Sequence, residues 1–207
     1  MKKIILLFAI CISVLQGFQK VHAQAGTLDL SFNGTGKKVV PVGSNSNATD
    51  VAIQPDGKSV MVGYSNSQNY YGSNGFTVVR LNVDGTNDNS FGNGGISITP
   101  IESNNYYYYY NYAHAQAVAV QPDGKILVGG YSYDGNYYGN YVFTVIRLNS
   151  DGTLDNTFGN GTGIVKCNPS NNSEYNYYGY YGSSYLTSVN LQTDGKIILG
   201  GTTYSYD

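Results

Sequence analysis

Residues 119–132 read AVQPDGKILVGGYS, two short apolar runs separated by a Pro-Asp-Gly-Lys turn. Nearly the same sequence occurs at 52–65 as AIQPDGKSVMVGYS and at 190–201 as NLQTDGKIILGG. Proline fixes φ at the first corner of a tight turn, aspartate suits the second, and glycine readily takes a positive φ. The third copy has Thr193 in place of proline but keeps the Asp-Gly-Lys triplet. The segment therefore predicts a recurring β-hairpin.

The turn residues are assigned a structural role rather than a catalytic one. An aspartate that acts as a general acid or base needs a histidine or a second carboxylate within reach. No such residue recurs beside the triplet. The residues assigned to the turns are Asp56, Gly57, Asp123, Gly124, Asp194 and Gly195.

The hairpin is part of a longer repeat. Residues 51–65 match 118–132 at ten of fifteen positions, and at the same offset 76–95 match 143–162 at fifteen of twenty. Self-similarity at a fixed period is typical of repeat architectures. We divide residues 24–207 into the end of a preceding unit (26–50), a first unit (51–116), a second unit (117–187) and a truncated third unit (188–207).

Each unit contains apolar segments rich in β-branched and aromatic residues, and none keeps a helical period. Several are apolar on both faces, as in Ile126-Leu127-Val128, which indicates a sheet covered on both sides. Four-stranded antiparallel sheets stacked face to face are β-propeller blades. The sequence thus predicts an all-β fold, an incomplete ring of about two and a half blades. The predicted strands are 37–42, 51–53, 59–63, 76–82, 95–99, 117–120, 126–130, 143–149, 163–166, 188–191 and 197–201.

The pairing of QPDGKILVGG (121–130) with RLNSDGTLDNTFGNGTG (147–163) resembles the delta-60 repeat family of secreted bacterial proteins. The resemblance covers nearly all of residues 24–207 and implies a β-propeller fold without implying an activity. This sequence departs from the family in two respects. It holds fewer units than the roughly four to eight blades of a closed ring, and it carries tyrosine-rich insertions.

The linkers that follow the third strands repeat an arginine, an aspartate and a phenylalanine. We predict that each arginine forms an ion pair with the linker aspartate and so attaches the linker to its own blade. We also predict that the phenylalanine packs at the base of the core. These residues are Arg80, Asp88, Phe91, Arg147, Asp155 and Phe158, with Asp29 and Phe32 in the preceding linker.

The same linkers alternate Asp, Asn and Gly, which is a pattern that can bind calcium. The EF-hand spacing would place Arg147 at the first ligand position and Phe158 at the twelfth, where a glutamate is required. We expect no metal and no other cofactor, with calcium bound by oxygen-rich loops as the alternative.

Residues 1–23 are predicted to be a secretory signal peptide. Lys2 and Lys3 precede the apolar run IILLFAICISV at 4–14, and small residues around Ala23 suit cleavage. We therefore expect a protein that is secreted or held at the cell surface. The remaining eight basic and thirteen acidic residues give a net charge of −5, which argues against a nucleic-acid partner. No second apolar stretch is long enough for membrane insertion.

Loops of variable length connect strands two and three and join successive units. An antiparallel blade brings both classes of loop to the same end. These loops hold most of the 22 tyrosines, mixed with Asn, Gly and Ser, a composition typical of adaptable recognition loops. The candidate ligand-binding residues are Tyr106, Tyr107, Tyr108, Tyr109, Tyr110, Tyr137, Tyr138, Tyr177, Tyr178, Tyr180 and Tyr181.

We interpret the chain as a non-enzymatic binding or adhesion module for an extracellular glycan or protein. Plain variable loops and self-association are alternatives for the tyrosine-rich segments. Two other classes are a hydrolase or lyase with a site on the propeller axis, and a structural spacer or fragment of a larger surface protein. His114, the only histidine after residue 23, is expected to be an ordinary loop residue just before a strand, and Cys167, the only cysteine there, is expected to be either a free thiol or an intermolecular link. The open edge of the third unit invites association with another chain, unless the protein is longer.

Overall fold

The computed structural model describes residues 26–66, 75–101, 112–134, 140–169 and 182–204. Within these ranges the chain forms β-strands, no α-helix and a short 3-10 turn at Gly159–Gly161. The described residues accordingly include no helix suited to spanning a membrane. The strands are β1 (Asn45–Ile53), β2 (Ser59–Asn66), β3 (Gly75–Leu81), β4 (Ile96–Pro100), β5 (Ala113–Val120), β6 (Ile126–Tyr133), β7 (Tyr141–Leu148), β8 (Ile164–Cys167), β9 (Ser184–Leu191) and β10 (Ile197–Thr203).

The strands form three antiparallel sheets in which chain neighbours are also spatial neighbours. Strands β1 to β4 make the first blade, β5 to β8 make the second blade, and β9 pairs with β10 in a half-blade. The first strands of the three sheets, β1, β5 and β9, contact one another in turn. Each sheet therefore has its first strand innermost, and β4 and β8 lie outermost. This is the radial arrangement of propeller blades that the repeat predicts.

The Asp-Gly-Lys triplet forms the turn between the two inner strands of every sheet. In the first blade the Gln54 carbonyl accepts a hydrogen bond from Gly57 N–H at 2.9 Å, and Gln54 N–H donates to the Lys58 carbonyl at 2.8 Å. Asp56 Oδ1 accepts from Lys58 N–H. The glycine requires a left-handed backbone, and its φ is +83° at Gly57, Gly124 and Gly195 alike.

The hydrophobic core lies between the sheets rather than within any one of them. One cluster joins the first and second blades and includes Val60, Val78, Val128 and Ile146. A second cluster joins the second blade to the half-blade. It includes Leu127, Phe143, Val145, Leu186 and Val189. The second blade is thus covered on both faces, which explains its continuous apolar strands.

The first strand of each sheet is longer than the sequence predicts. It begins at Asn45, Ala113 and Ser184 instead of at residues 51, 117 and 188. A β-bulge interrupts the pairing at the same repeat position in all three sheets, where Thr49, Gln116 and Thr187 lie opposite no partner residue. A bulge reverses the alternation of faces, so the apolar pattern breaks there although the strand continues.

Two further expectations are wrong. Residues 37–42 form no strand, and no described strand pairs with them. They run beside the first blade instead, where Val40 and Val42 pack against Val79 and Leu81. His114 does not precede a strand, because it is the second residue of β5. The predicted signal peptide (1–23) lies outside the described residues.

Candidate binding site

The eleven tyrosines chosen from the sequence as ligand-binding residues all lie outside the described ranges. They belong to the segments 102–111, 135–139 and 170–181. The strands that flank these segments are described, and they place the entry and exit points together. In the first blade Asn45 pairs with Asn66, and Gly75 pairs with both Ser65 and Pro100, while in the second blade Tyr133 pairs with Tyr141, so these connections leave from one end of each sheet. We refer to this end as the loop end of the blades.

A line of aromatic side chains crosses the loop end of all three sheets. His114 stacks on Tyr131 with ring centroids 5.2 Å apart and planes only 7° from parallel. Tyr64 of the first blade lies 4.0 Å from His114, and Tyr131 lies 4.9 Å from Tyr185 of the half-blade. We call this set the aromatic row. Its members are Tyr64, His114, Tyr131, Tyr141, Tyr185 and Tyr204.

Strand register explains why the row is continuous. The two inner strands pair His114 with Tyr131 in the second blade, and the equivalent pairs are Asn47 with Tyr64 and Tyr185 with Thr202. The repeat therefore places these pairs at equivalent positions in the three sheets. Tyr64 of β2 and Tyr131 of β6 each contact an aromatic residue of the next sheet. Aromatic pairs are favourable in offset or edge-on geometry at short centroid separations, as in this row. At the first blade Asn47 Nδ2 donates to the Tyr64 hydroxyl at 3.3 Å.

Tyr141 widens the row over the second blade. As the first residue of β7 it lies 5.4 Å from Tyr131 and 5.4 Å from Tyr185, measured between ring centroids. Tyr204 extends the row beyond Tyr185 at 5.9 Å and is 59% exposed. The remaining members are partly buried, so part of each residue is open to solvent.

The row carries no charge near neutral pH. Burial lowers the pKa of His114 below its usual value, so the imidazole is neutral. Burial, together with the neighbouring phenols of Tyr185 and Tyr131, raises the pKa of Tyr141 to about 12. Burial and the Tyr185 and Tyr64 phenols also raise the pKa of Tyr131. The surface is therefore aromatic and neutral, with hydroxyl groups that can both donate and accept hydrogen bonds.

The sequence pattern predicts loops at Tyr64, Tyr131, Tyr141, Tyr185 and His114, and none of them is among the candidate binding residues. The structure places all of them within strands. The signal that could have found them is the repeat itself. When the first two units are aligned, Tyr64 coincides with Tyr131.

The opposite end of the blades holds the charged residues predicted from the linkers. Arg80 Nε lies 2.6 Å from Asp88 Oδ2, and Lys58 Nζ lies 2.9 Å from the same oxygen. Arg147 and Lys125 make the equivalent contacts to Asp155 at 2.6 and 2.8 Å. The guanidinium groups of the two arginines also lie over the rings of Phe91 and Phe158, at 4.5 and 4.7 Å.

The linker contacts extend beyond the pairs that the sequence predicts. Arg80 Nη1 donates to the carbonyl of Ser150, which belongs to the second blade, at 2.6 Å. The Gly92 N–H donates to the Asp151 carbonyl at 2.7 Å, and Phe91 is fully buried in the core between the two blades. The first linker therefore fastens one blade to the next as well as to its own sheet. Phe158 is only partly buried.

Two aspartates of the linker loops accept hydrogen bonds from within their own loops. Asp84 Oδ1 accepts from both the N–H and the hydroxyl of Thr86, and Asp151 does the same with Thr153. Among the described residues no three His, Cys, Asp or Glu side chains come together as a potential metal site. Cys167 is exposed and forms no disulfide.

Comparison with known families agrees with this geometry. Residues 54–91, 121–158 and 192–207 match the family described as "Domain of unknown function (DUF5122) beta-propeller". Each matched segment begins at the glutamine of a Gln-Pro-Asp-Gly or Gln-Thr-Asp-Gly turn. These segments are β-propeller repeats. The first segment runs through β2 and β3 to Phe91, and the second runs through β6 and β7 to Phe158, so the matched unit comprises the hairpin turn, both middle strands and the arginine–aspartate pair. No curated protein matches the chain.

Proposed function

We propose that the protein is an exported, non-enzymatic binding module of delta-60-type repeats that recognises extracellular glycans at the loop end of its blades. The observation that carries the proposal is the aromatic row, which runs across both blades and the half-blade without interruption. The strands that flank the tyrosine-rich segments 102–111, 135–139 and 170–181 begin or end at this same end of the blades.

The chemistry of the row favours a neutral, hydroxyl-rich ligand. Aromatic rings contribute apolar contact area, and phenol groups contribute hydrogen bonds at a low cost in side-chain entropy. A sugar presents C–H faces and hydroxyl groups that complement both features. The neutral row offers no charge with which to attract a phosphate or a carboxylate ligand. A protein surface rich in polar side chains is the second candidate partner, because tyrosine is also enriched in protein interfaces.

The proposal is tested by glycan-array binding of the purified chain and two sets of variants. In the first set Tyr131→Ala removes a ring from the centre of the row, while Tyr131→Phe keeps the ring and removes only the hydroxyl group. We expect Tyr131→Ala to weaken binding about tenfold, as expected for the loss of roughly 1.5 kcal/mol of aromatic contact. Tyr131→Phe should weaken it less.

In the second set, Tyr106–Tyr110 are all replaced by serine, which tests the tyrosine-rich segment 102–111 without changing any member of the row. Val83→Ala is the control, since Val83 is 66% exposed in a linker turn at the opposite end. Equal binding by wild type and Tyr131→Ala, with unchanged circular dichroism, would remove the row from the proposal. Failure of the wild type to bind any glycan would overturn the ligand class.

A further inference from the structure

Each sheet carries one pair of contact groups at the loop end, at equivalent positions of its two inner strands. The pairs are Asn47 with Tyr64, His114 with Tyr131, and Tyr185 with Thr202. Every pair includes a phenol ring, and its other member is an amide, an imidazole or an alcohol that can form hydrogen bonds. None of the six residues is Asp, Glu, Lys or Arg. The repeat therefore presents the same neutral combination of ring and hydrogen-bonding group once in each sheet.

The pairs of successive sheets are in contact with one another. Tyr64 of the first blade lies 4.0 Å from His114, and Tyr131 of the second blade lies 4.9 Å from Tyr185, both measured between ring centroids. His114 and Tyr131 are 5.2 Å apart within the second blade. The contact groups thus follow one another across the three described sheets at similar separations, rather than forming three separate patches. Stacked repeats commonly build extended binding surfaces in this way.

A ligand on the loop end can reach groups of every described sheet. The four aromatic residues of the three pairs are partly exposed, and Asn47 and Thr202 are exposed. Tyr141 adds a further partly exposed ring beside Tyr131, at 5.4 Å between centroids. A compact ligand would contact one pair, whereas a long ligand would contact all three. The arrangement therefore favours a ligand that is itself extended and repetitive.

We propose, on the basis of the proposed function, that the aromatic row binds an extended, unbranched, neutral glycan whose successive sugar units lie along successive blades. An equatorially linked sugar chain forms a straight ribbon in which every unit offers C–H groups to a ring and hydroxyl groups to a hydrogen-bonding side chain. The chemistry of the ligand thus repeats as the pairs repeat along the row. Once one unit is bound, the next unit is held beside its own pair, which raises the affinity without any new kind of contact.

The dependence of affinity on the length of the glycan tests the proposal. Isothermal titration calorimetry of the purified protein would use cellobiose, cellotriose, cellotetraose and cellohexaose as probes, with chito-oligosaccharides of the same lengths as a second arm. The first arm offers unmodified sugars, and the second arm offers N-acetylated ones. In at least one arm we expect the tetrasaccharide to bind at least about tenfold more tightly than the disaccharide, with little further gain in the hexasaccharide.

A variant of the first blade separates extended binding from a general loss of structure. Tyr64→Ala removes the phenol of the first blade and leaves the residues of the other two pairs unchanged. We expect it to weaken binding of the tetrasaccharide about tenfold and binding of the disaccharide less than about twofold, because the disaccharide can occupy the remaining pairs. Tyr64→Phe keeps the ring and should weaken binding less. Val83→Ala, in a linker turn at the opposite end, is the control and should bind every probe as the wild type does.

Equal affinity of the wild type for the disaccharide and the hexasaccharide in both arms would overturn the extended arrangement and would leave glycan binding itself in place. Binding of only short or branched glycans on the array would have the same meaning. A Tyr64→Ala protein that loses the disaccharide and the tetrasaccharide equally would also overturn the arrangement, because the disaccharide would then need the first blade. If the wild type bound no glycan at all, the proposed function would fail, and the extended arrangement with it.

Discussion

Arg80 and Asp88 form the contact that joins a linker, its own blade and the next blade. The guanidinium donates through Nε to Asp88 Oδ2 at 2.6 Å and through Nη1 to the Ser150 carbonyl at 2.6 Å. Asp88 in turn accepts from the Ser90 hydroxyl and from Lys58. Both partners are buried, with Arg80 5% exposed and Asp88 4% exposed. The planar guanidinium group, whose N–H donors are held in fixed positions, suits this bridging role better than the single ammonium group of a lysine would.

Arg80→Ala is expected to lower the free energy of unfolding by about 2 kcal/mol, because a buried carboxylate and a carbonyl each lose a donor. Lys58 stays with Asp88 and limits the loss. The free energy of unfolding of Arg80→Lys should lie between those of Arg80→Ala and the wild type. Urea unfolding followed by circular dichroism measures the difference.

Arg147→Ala is the matched control for the contact between blades. Arg147 makes the same bond to Asp155 but is more exposed than Arg80, and its other side-chain bond goes to Thr157 of its own linker. The Arg147→Ala substitution should therefore lower the melting temperature less than Arg80→Ala does. Equal losses would show that the bond to Ser150 contributes nothing to stability.

Gly152→Ala is expected to destabilise the protein because Phe91 of the preceding linker approaches this glycine closely. A Cβ at residue 152 would lie 2.9 Å from the Phe91 ring and 2.9 Å from the Gly92 nitrogen, at a φ of +86°. Backbone strain alone costs roughly 1–2 kcal/mol, and the clash adds to it.

Gly195→Ala separates strain from contact. Its φ is +83°, and a Cβ there would meet nothing within 4 Å. We expect Gly195→Ala to lower the melting temperature only by the amount that backbone strain causes. If Gly152→Ala melts no lower than Gly195→Ala, the packing of Phe91 against the next blade does not contribute to stability.

Stability should fall as the pH drops below about 4. Burial by itself would raise the pKa of Asp88, but hydrogen bonds from Ser90 and Lys58 and the charge of Arg80 outweigh it and hold the pKa well below its usual range. Hydrogen bonds from Lys125 and Thr157 lower the pKa of Asp155 in the same way. A depressed folded-state pKa gives stability that is complete above the unfolded value of about 3.9 and is lost as pH falls through the folded value.

Urea unfolding between pH 6 and pH 2 checks this dependence. Asp88→Asn should be less stable than the wild type at pH 6 and should show a flatter decline below pH 4, since one of the titrating carboxylates is gone. Parallel curves for the two proteins would exclude Asp88 as a source of the acid sensitivity.

The repeat in the sequence predicted the sheets because the middle strands are dense in β-branched and aromatic residues. Strands β2, β3, β6 and β7 are found close to their predicted positions. The first strands were predicted too short because the bulge at Thr49, Gln116 and Thr187 interrupts the alternation that marks a half-buried strand. Residues 37–42 have strand-like composition, but a strand forms only where a partner strand satisfies its backbone groups.

The aromatic row was not predicted because it depends on contacts between blades. Tyr64 and His114 belong to different sheets and are distant in the chain, and no local pattern indicates that their rings lie 4.0 Å apart. The linker pairs were easier to infer, since each arginine is close in sequence to its aspartate and both recur in each full unit. Local charge pairs can be read from one repeat, whereas the row requires knowledge of how successive repeats stack.

Alkaline titration should report the packing of the aromatic row. The pKa of Tyr141 is raised to about 12 by burial and by the Tyr185 and Tyr131 phenols, and burial also raises that of Tyr131. For a phenol whose folded pKa exceeds the unfolded value of about 10, the neutral form stabilises the fold. That stability is fully present below pH 10 and is lost as the pH rises towards 12.

Tyrosinate absorbance measured against pH should therefore show a late group of tyrosines that ionise only near the alkaline unfolding transition. Tyr141→Phe removes one member of this group and should extend stability to higher pH, because a ring that cannot ionise replaces one that must. Tyr204→Phe is the control, since Tyr204 is largely exposed at the end of the row. If Tyr141→Phe had as many late-ionising tyrosines as the wild type, Tyr141 would not be packed as the structure shows.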